Sequence, residues 1–327
     1  MDVARRAGVS RRTVSNVVTD FPYVKSEVRD RVQRAIVELG YVPNRAAQQL
    51  RTGRSGVIAL LVPEVGVGYF GEIGNLIIEA AAARGVGTIV AQTRGSRTRE
   101  LQEMERVLAL QPDGLILSPL GLTAEDLESI RTRCRVSLIG EHFLGGADSA
   151  VAIDNVGAAR ELVSHLLSLG RRNIAFLGVT EDDPRFTSLR HDGYAAALQD
   201  FGAEPAGDIR TTGYELIDGF TSGSLLAERI RSGTQIDAVF CVTDELAIGV
   251  IRALHDAGLH VPGDVAVAGF DDIAEGRYST PRLTTVSPDK EQIARRALAV
   301  LLDGPAPAGA IAYRLSIRES SAGASLG

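Results

Sequence analysis

The chain has 327 residues, 35 basic and 41 acidic, with 45% apolar side chains and two cysteines. That apolar content fills sizeable cores and excludes global disorder, while no apolar run reaches the roughly 20 residues that span a bilayer. Cys134 and Cys241 form no C-x-x-C pattern, so neither a disulfide framework nor a zinc site is expected.

The opening MDVARRAGVS lacks the apolar core of a secretory signal, so a cytoplasmic protein is expected. Residues 1–54 carry eleven basic against five acidic side chains, a charge of +6 that leaves −12 on the remainder of the −6 chain. A basic head on an acidic body points to a polyanion as the head's partner; a solvated helical surface is the alternative.

Helical spacing runs through the head. Val3, Ala4 and Ala7 form a first apolar face, and Gly8 interrupts it. Ser10 is placed to cap a second helix holding Val14, Val17 and Val18. A third helix carries Val28, Val32, Ala35, Ile36 and Leu39 and stops at Gly40. Three short helices with a glycine turn between the first two describe a helix-turn-helix; the competing reading is a small bundle that binds protein. The second helix presents Arg11, Arg12, Thr13, Ser15 and Asn16, groups able to meet phosphates or base edges in a major groove. After Pro43, Asn44 can cap a further helix of about two turns, too short to be stable alone. Such a helix could order on DNA, with Leu50 prying a base step in the minor groove; an inert linker is the alternative.

From Val57 onward, short apolar runs alternate with helical patterns. The runs are 57–62, 86–91, 114–118, 136–140, 174–178, 238–242 and 265–269. Buried strands alternating with helices imply parallel, doubly wound sheets, and their number suggests two similar lobes with ligands at the strand carboxyl ends. Gly66-Val67-Gly68-Tyr69-Phe70-Gly71 fits a dinucleotide fingerprint, but the next strand ends Ala91-Gln92-Thr93 without the acid that would hold a ribose. His142, His165, His191, His255 and His260 accompany no strand-turn-helix nucleophile elbow, so an enzyme is not expected. No cofactor or metal is expected either.

DVARRAGVSRRTVSNVV and RVQRAIVELGYVPNRAAQQLRTGRSGVIALLVP together resemble the lactose/galactose-repressor (LacI/GalR) family of bacterial transcription regulators. The resemblance extends from Asp2 to the final strand. It implies an all-α helix-turn-helix head over 1–54, with a hinge helix near 44–51. It also implies a two-lobed, α/β, periplasmic-binding-protein-like effector and dimerisation domain over 55–327. Three crossovers near Asn155, Pro288 and Gly309 would give lobe one 56–154 with 288–308 and lobe two 155–287 with 309–320. Arg11 and Arg12 then read bases, Ser10, Thr13, Ser15 and Asn16 face the DNA, and Asn44, Ala47 and Leu50 form the hinge, with Leu50 as the wedge.

The implied effector contacts are Tyr69, Phe70, Arg190, Tyr214, Thr243 and Asp271. Arg190 offers a fixed fork for hydroxyls or a carboxylate, with a salt bridge as the bland alternative. Asp271 belongs to a Gly269-Phe-Asp-Asp272 run in which Asp272 fixes the turn. Thr243 and Gly140-Glu141 depart from the family's Asn and Asp-Arg. Met1 stands directly before Asp2, where relatives carry a threonine and an aliphatic residue, which suggests a misplaced start. Lys25 replaces a capping serine whose role Ser26 would take. The expected partners are a pseudo-palindromic double-stranded DNA operator, a small polar effector (a sugar by family precedent) and a second copy of the chain. The expected role is a nucleoid-associated repressor; the alternative is a solute-binding receptor of a transport system, which leaves the +6 head unexplained.

Overall fold

The computed structural model describes residues 2–18, 21–41, 53–66, 68–140, 150–181, 185–304 and 309–322. The expected hinge positions Asn44, Ala47 and Leu50 lie outside them, as does Glu141. The chain divides into two compact units, Met1–Ser55 and Gly56–Gly327.

In the first unit, α1 (Asp2–Ala7), α2 (Arg11–Val18) and α3 (Ser26–Glu38) enclose a core of Val3, Ala7, Val14, Val17, Val32 and Ala35. The α1–α2 turn needs a left-handed residue, and Gly8 supplies it at φ +66. Ser10 then caps α2, its Oγ accepting the Thr13 N–H at 3.1 Å. The entry to α3 differs from expectation. Its N-cap is Lys25, without a side-chain cap bond, and Ser26 is already helical, so the hydroxyl does not replace the missing cap.

The second unit carries two sheets. The first is built from β1 (Val57–Val62), α4 (Gly68–Ala83), β2 (Gly87–Gln92), α5 (Arg97–Leu108), β3 (Leu115–Leu117), α6 (Ala124–Arg131), β4 (Val136–Ile139) and β5 (Ala150–Val151). Its strand order is β2-β1-β3-β4-β5, with every pairing parallel. The second lobe follows with α7 (Asn155–Ser168), β6 (Ile174–Val179), α8 (Arg185–Phe201), β7 (Asp208–Arg210), α9 (Leu216–Arg231), β8 (Ala238–Cys241), α10 (Asp244–Asp256), β9 (Ala266–Phe270), α11 (Ala274–Tyr278) and β10 (Thr284–Pro288). The chain then returns to the first lobe as α12 (Lys290–Leu302), which packs on α4 and β4. It crosses a third time to add β11 (Tyr313–Ser316) antiparallel to β10, and ends its described part in α13 (Glu319–Ala322). The second sheet therefore runs β11-β10-β9-β8-β6-β7.

Wholly buried strands such as Leu115–Leu117 and Ala238–Cys241 carry no polar face, because helices cover both sides of their sheets. Four strands escape the apolar-run reading: β5, β7, β10 and β11. β10 is the instructive one. Its sequence Thr-Thr-Val-Ser-Pro is polar, yet all five residues are buried. Thr284 Oγ1 donates to the Arg318 carbonyl, Thr285 Oγ1 to Asp244 and Ser287 Oγ to Asp272, at 2.9, 2.6 and 2.7 Å. Partners remote in sequence make those hydroxyls affordable inside the protein.

Candidate functional site

Two places gather the residues picked out from sequence. In the head, Arg11 and Arg12 are exposed at the start of α2, with Thr13, Ser15 and Asn16 half-buried behind them. The hydroxyls of Ser10 and Thr13 are 2.9 Å apart and bonded to each other. Ser10 thus holds the helix start, which fixes the direction in which the two arginines leave it.

In the body, a cavity of about 270 Å³ opens where the strands of both sheets end. Parallel strands leave their binding crevice at their carboxyl ends, beside the point where strand order reverses. Here β1 leads into Pro63 and Glu64, β3 into Ser118, β8 into Thr243 and β9 into Asp271, all in the cavity wall. Tyr69 and Phe70 join from the first turn of α4, Phe186 and Arg190 from α8, and Tyr214 from the loop after β7. All six residues singled out for the effector therefore line one cavity.

Arg190 is its best-held cation. It is 6% exposed. Its Nε donates to Asn155 Oδ1 at 2.8 Å, Nη1 to the Val242 carbonyl and Nη2 to Asp271 Oδ1 at 3.4 Å. The guanidinium lies 3.6 Å from the Phe270 ring centroid and 5.1 Å from that of Phe186. A buried guanidinium is tolerated only with such partners, and the aromatic faces add cation–π attraction. Asp271 is held at φ +113, a conformation L-residues rarely adopt, which aims it back at Arg190.

Tyr214 exchanges hydrogen bonds with Thr180 and Thr187, each at 3.1 Å, and its ring sits 5.2 Å from Phe186. Tyr69 and Phe70 pack edge-on at 5.2 Å. The aromatics thus form apolar walls around a few polar groups, the usual make-up of a small-molecule site. Thr243 caps α10, its Oγ1 accepting the Leu246 N–H at 3.4 Å. Asp154 caps α7, and Asn155 is the partner that orients Arg190.

The glycine-rich run has another explanation than a phosphate loop. A Cβ on Gly68 would stand 3.1 Å from both Ile273 Cβ and Glu275 Oε2, so the glycine lets the start of α4 approach the second lobe. Two further bonds join the lobes: Glu72 Oε1 accepts the Ala274 N–H at 2.8 Å, and Lys290, itself paired with Glu72 in the first lobe, donates to the Asp272 carbonyl at 3.0 Å.

Sequence reading missed Glu64, Arg94, Ser118, Phe186 and Glu245 in the wall. Glu245 follows Thr243-Asp244 in the first turn of a helix, where an acid is ordinary because it complements the helix dipole. Burial foremost, then the charge of Asp271, pushes its carboxyl up to about 7. Burial likewise raises Asp244 well above the usual carboxylate range, with Asp271 adding to it.

Residues 1–44 match the family described as bacterial regulatory proteins, lacI family, and residues 163–321 match the periplasmic binding protein-like domain. The chain is 33% identical over 294 residues to the HTH-type transcriptional regulator GntR of Escherichia coli K12, covering 89% of this chain and 87% of that one. It is 32% identical over 309 residues to the HTH-type transcriptional regulator GalS of Salmonella typhimurium, covering 93% and 89%. Among solved structures, the lac repressor dimer bound to operator and the anti-inducer ONPF superposes with a TM-score of 0.83 at 26% identity, covering 98% of both chains. The CelR–cellobiose complex superposes with a TM-score of 0.68 at 28% identity, again over 98% of both. The chain belongs to the lacI family of bacterial regulatory proteins, as a transcriptional regulator with a helix-turn-helix head and a two-lobed periplasmic-binding-protein-like body.

Proposed function

We propose that this regulator is a cytoplasmic repressor whose homodimer presents two heads to a pseudo-palindromic operator on double-stranded DNA. Its lobes respond to a small polar effector, a sugar, bound in the cavity between the sheets. The observation that carries the effector reading is Arg190. It is buried in the wall beside Asp271 and Asn155 and surrounded by aromatic rings, an arrangement suited to recognising adjacent hydroxyls. Arg11, Arg12, Thr13, Ser15 and Asn16 would face the operator from α2, with Ser10 from its cap, and Asn44, Ala47 and Leu50 would form the hinge. The +6 head would neutralise phosphates, so operator binding falls steeply with salt. The effector would shift the relative orientation of the lobes and with it the spacing of the heads. Couplings of this kind are typically about 1–3 kcal/mol and reciprocal. The body serves as a sensor and performs no catalysis.

Selection of genomic fragments by the full chain, at two salt concentrations, supplies the operator. Arg190→Ala should then keep operator affinity in the absence of effector and lose the effector response. A normal response in that variant rejects Arg190 as a contact. A solute-receptor role would show as ligand binding with no enriched DNA at either salt.

A further inference from the structure

One carboxyl in the cavity wall remains unaccounted for. Glu245 opens α10 and is only 6% exposed. The backbone N–H groups of Tyr69, on the opposite lobe, and of its own residue act to lower its carboxyl, against burial and the charge of Asp271. Oε1 is buried and has no hydrogen-bond partner among the described residues. A buried acceptor left unpaired carries its full desolvation penalty, so a protein keeps one where something else supplies the donor.

The surroundings indicate the kind of donor. Asp244 precedes Glu245 on α10, Asp271 faces it from the end of β9 and Glu275 from α11. Against these four carboxyls stand the N-terminal turn of α4 at Tyr69 and the guanidinium of Arg190; the other nearby cations, Arg94 in the wall and Lys290 5.8 Å from the Tyr69 ring, are paired with Glu64 and Glu72. Arg190 is already engaged by Asp271, Asn155 and the Val242 carbonyl. A ligand hydroxyl would pair Oε1 but supply no charge to let the crowded carboxyls ionise. A ligand carboxylate would add to that crowding of acids. An ammonium supplies both the donor and the charge, through a charge-assisted bond of roughly twice the neutral strength. The rings of Tyr69, Phe70, Phe186 and Tyr214 in the same wall also suit a cation. Resting on the reading of this cavity as the effector site, we infer that Glu245 is a specificity-determining contact for a protonated amino group, and that the effector class is the amino sugars. The carboxyl, pushed up to about 7, is partly protonated near neutrality in the ligand-free protein, so an arriving ammonium displaces that proton.

The test uses the full chain near neutral pH, with thermal shift and calorimetry. The probes are hexosamines of gluco, galacto and manno configuration, with their neutral parents, N-acetyl derivatives and uronic acids. Wild type is compared with Glu245→Gln, which keeps an acceptor without the charge, and Glu245→Met, which keeps neither. The expected result is a hexosamine that binds at least about tenfold tighter than its neutral parent. That preference is lost in both variants, and calorimetry in buffers of different ionisation enthalpy records proton release from wild type alone. Equal or tighter binding of the parent or the uronic acid overturns the inference, as does an amine preference that survives in Glu245→Met. A neutral sugar held by wild type and Glu245→Gln but lost in Glu245→Met makes the residue a hydroxyl acceptor and overturns the amine. A panel that fails to shift wild type at all overturns the amino-sugar class. The standing of the cavity as the effector site is then decided separately, by Arg190→Ala and its effector response.

Discussion

Two buried acidic corners, which meet at the consecutive residues Asp271 and Asp272, show opposite solutions to the same problem. Asp272 is 1% exposed and at φ +49, yet it is fully served. Ser287 Oγ donates to it at 2.7 Å, Arg318 Nη2 at 2.6 Å and Arg277 Nη2 at 3.1 Å. Burial would raise its carboxyl, but the bonds from Ser287 and Arg318 outweigh burial and hold it below the usual range. The pocket corner has Glu245 and Asp271 in the wall and Asp244 buried beside them, and there burial wins and pushes the carboxyls of Asp244 and Glu245 up. The first corner ties residue 318 to the second lobe; in the second, Asp244 accepts from Thr285 Oγ1 and the Ile273 N–H, while Glu245 Oε1 has no partner among the described residues. Burial alone therefore does not separate a structural acid from a binding one; the supply of partners does.

The largest effect that would break this contrast is at the satisfied corner. Asp272→Ala strips partners from Arg318 and places alanine at a left-handed φ, and should cost about 3–5 kcal/mol in urea unfolding. A cost under about 1 kcal/mol would remove the distinction between the corners. Because the Asp272 carboxyl is held low, its contribution is complete above the normal carboxylate range and fades as pH falls through the depressed value.

Glu245 has the opposite sign. The folded protein holds its proton more tightly than the unfolded chain does. Wild-type stability should therefore fall as pH rises from the normal glutamate range to about 7. Glu245→Gln should remove that fall, gaining up to about 3 kcal/mol at pH near 8 and little at pH near 5. Thermal melts across pH check it, and parallel curves for the two proteins would sink the idea. Gly68→Ala sharpens the lobe contact. The added methyl meets Ile273 and Glu275 at about 3.1 Å, and a cost of about 1 kcal/mol, with weaker protection of the Ala274 amide from exchange, is expected. The smallest effect is local to the head: Ser10→Ala should cost about 1 kcal/mol, read as faster amide exchange at Thr13 and Val14 in the full chain.

How much was legible depended on whether a residue's role is local. Ser10, Gly8 and the valines of the head act within a few positions of themselves, so spacing exposes them. The apolar strands of the body are equally plain, because a strand covered on both faces needs a continuous apolar run. β10 was not, since its hydroxyls are satisfied by Arg318, Asp244 and Asp272 from elsewhere in the chain. Six effector contacts were named through family resemblance and all line one cavity; Phe186, Ser118 and Glu245 were not named.

By itself, then, the sequence determined the helix-turn-helix head, its charge, the alternating α/β body and the family, since these rest on short-range periodicity, capping and contiguous motifs. Tertiary structure alone decided which carboxyls are short of partners. Asp271 and Asp272 are neighbours in the chain, but Arg190 lies 81 positions from the first and Arg318 lies 46 from the second. Whether a buried charge is satisfied depends on donors brought from such distances, and no local pattern encodes that.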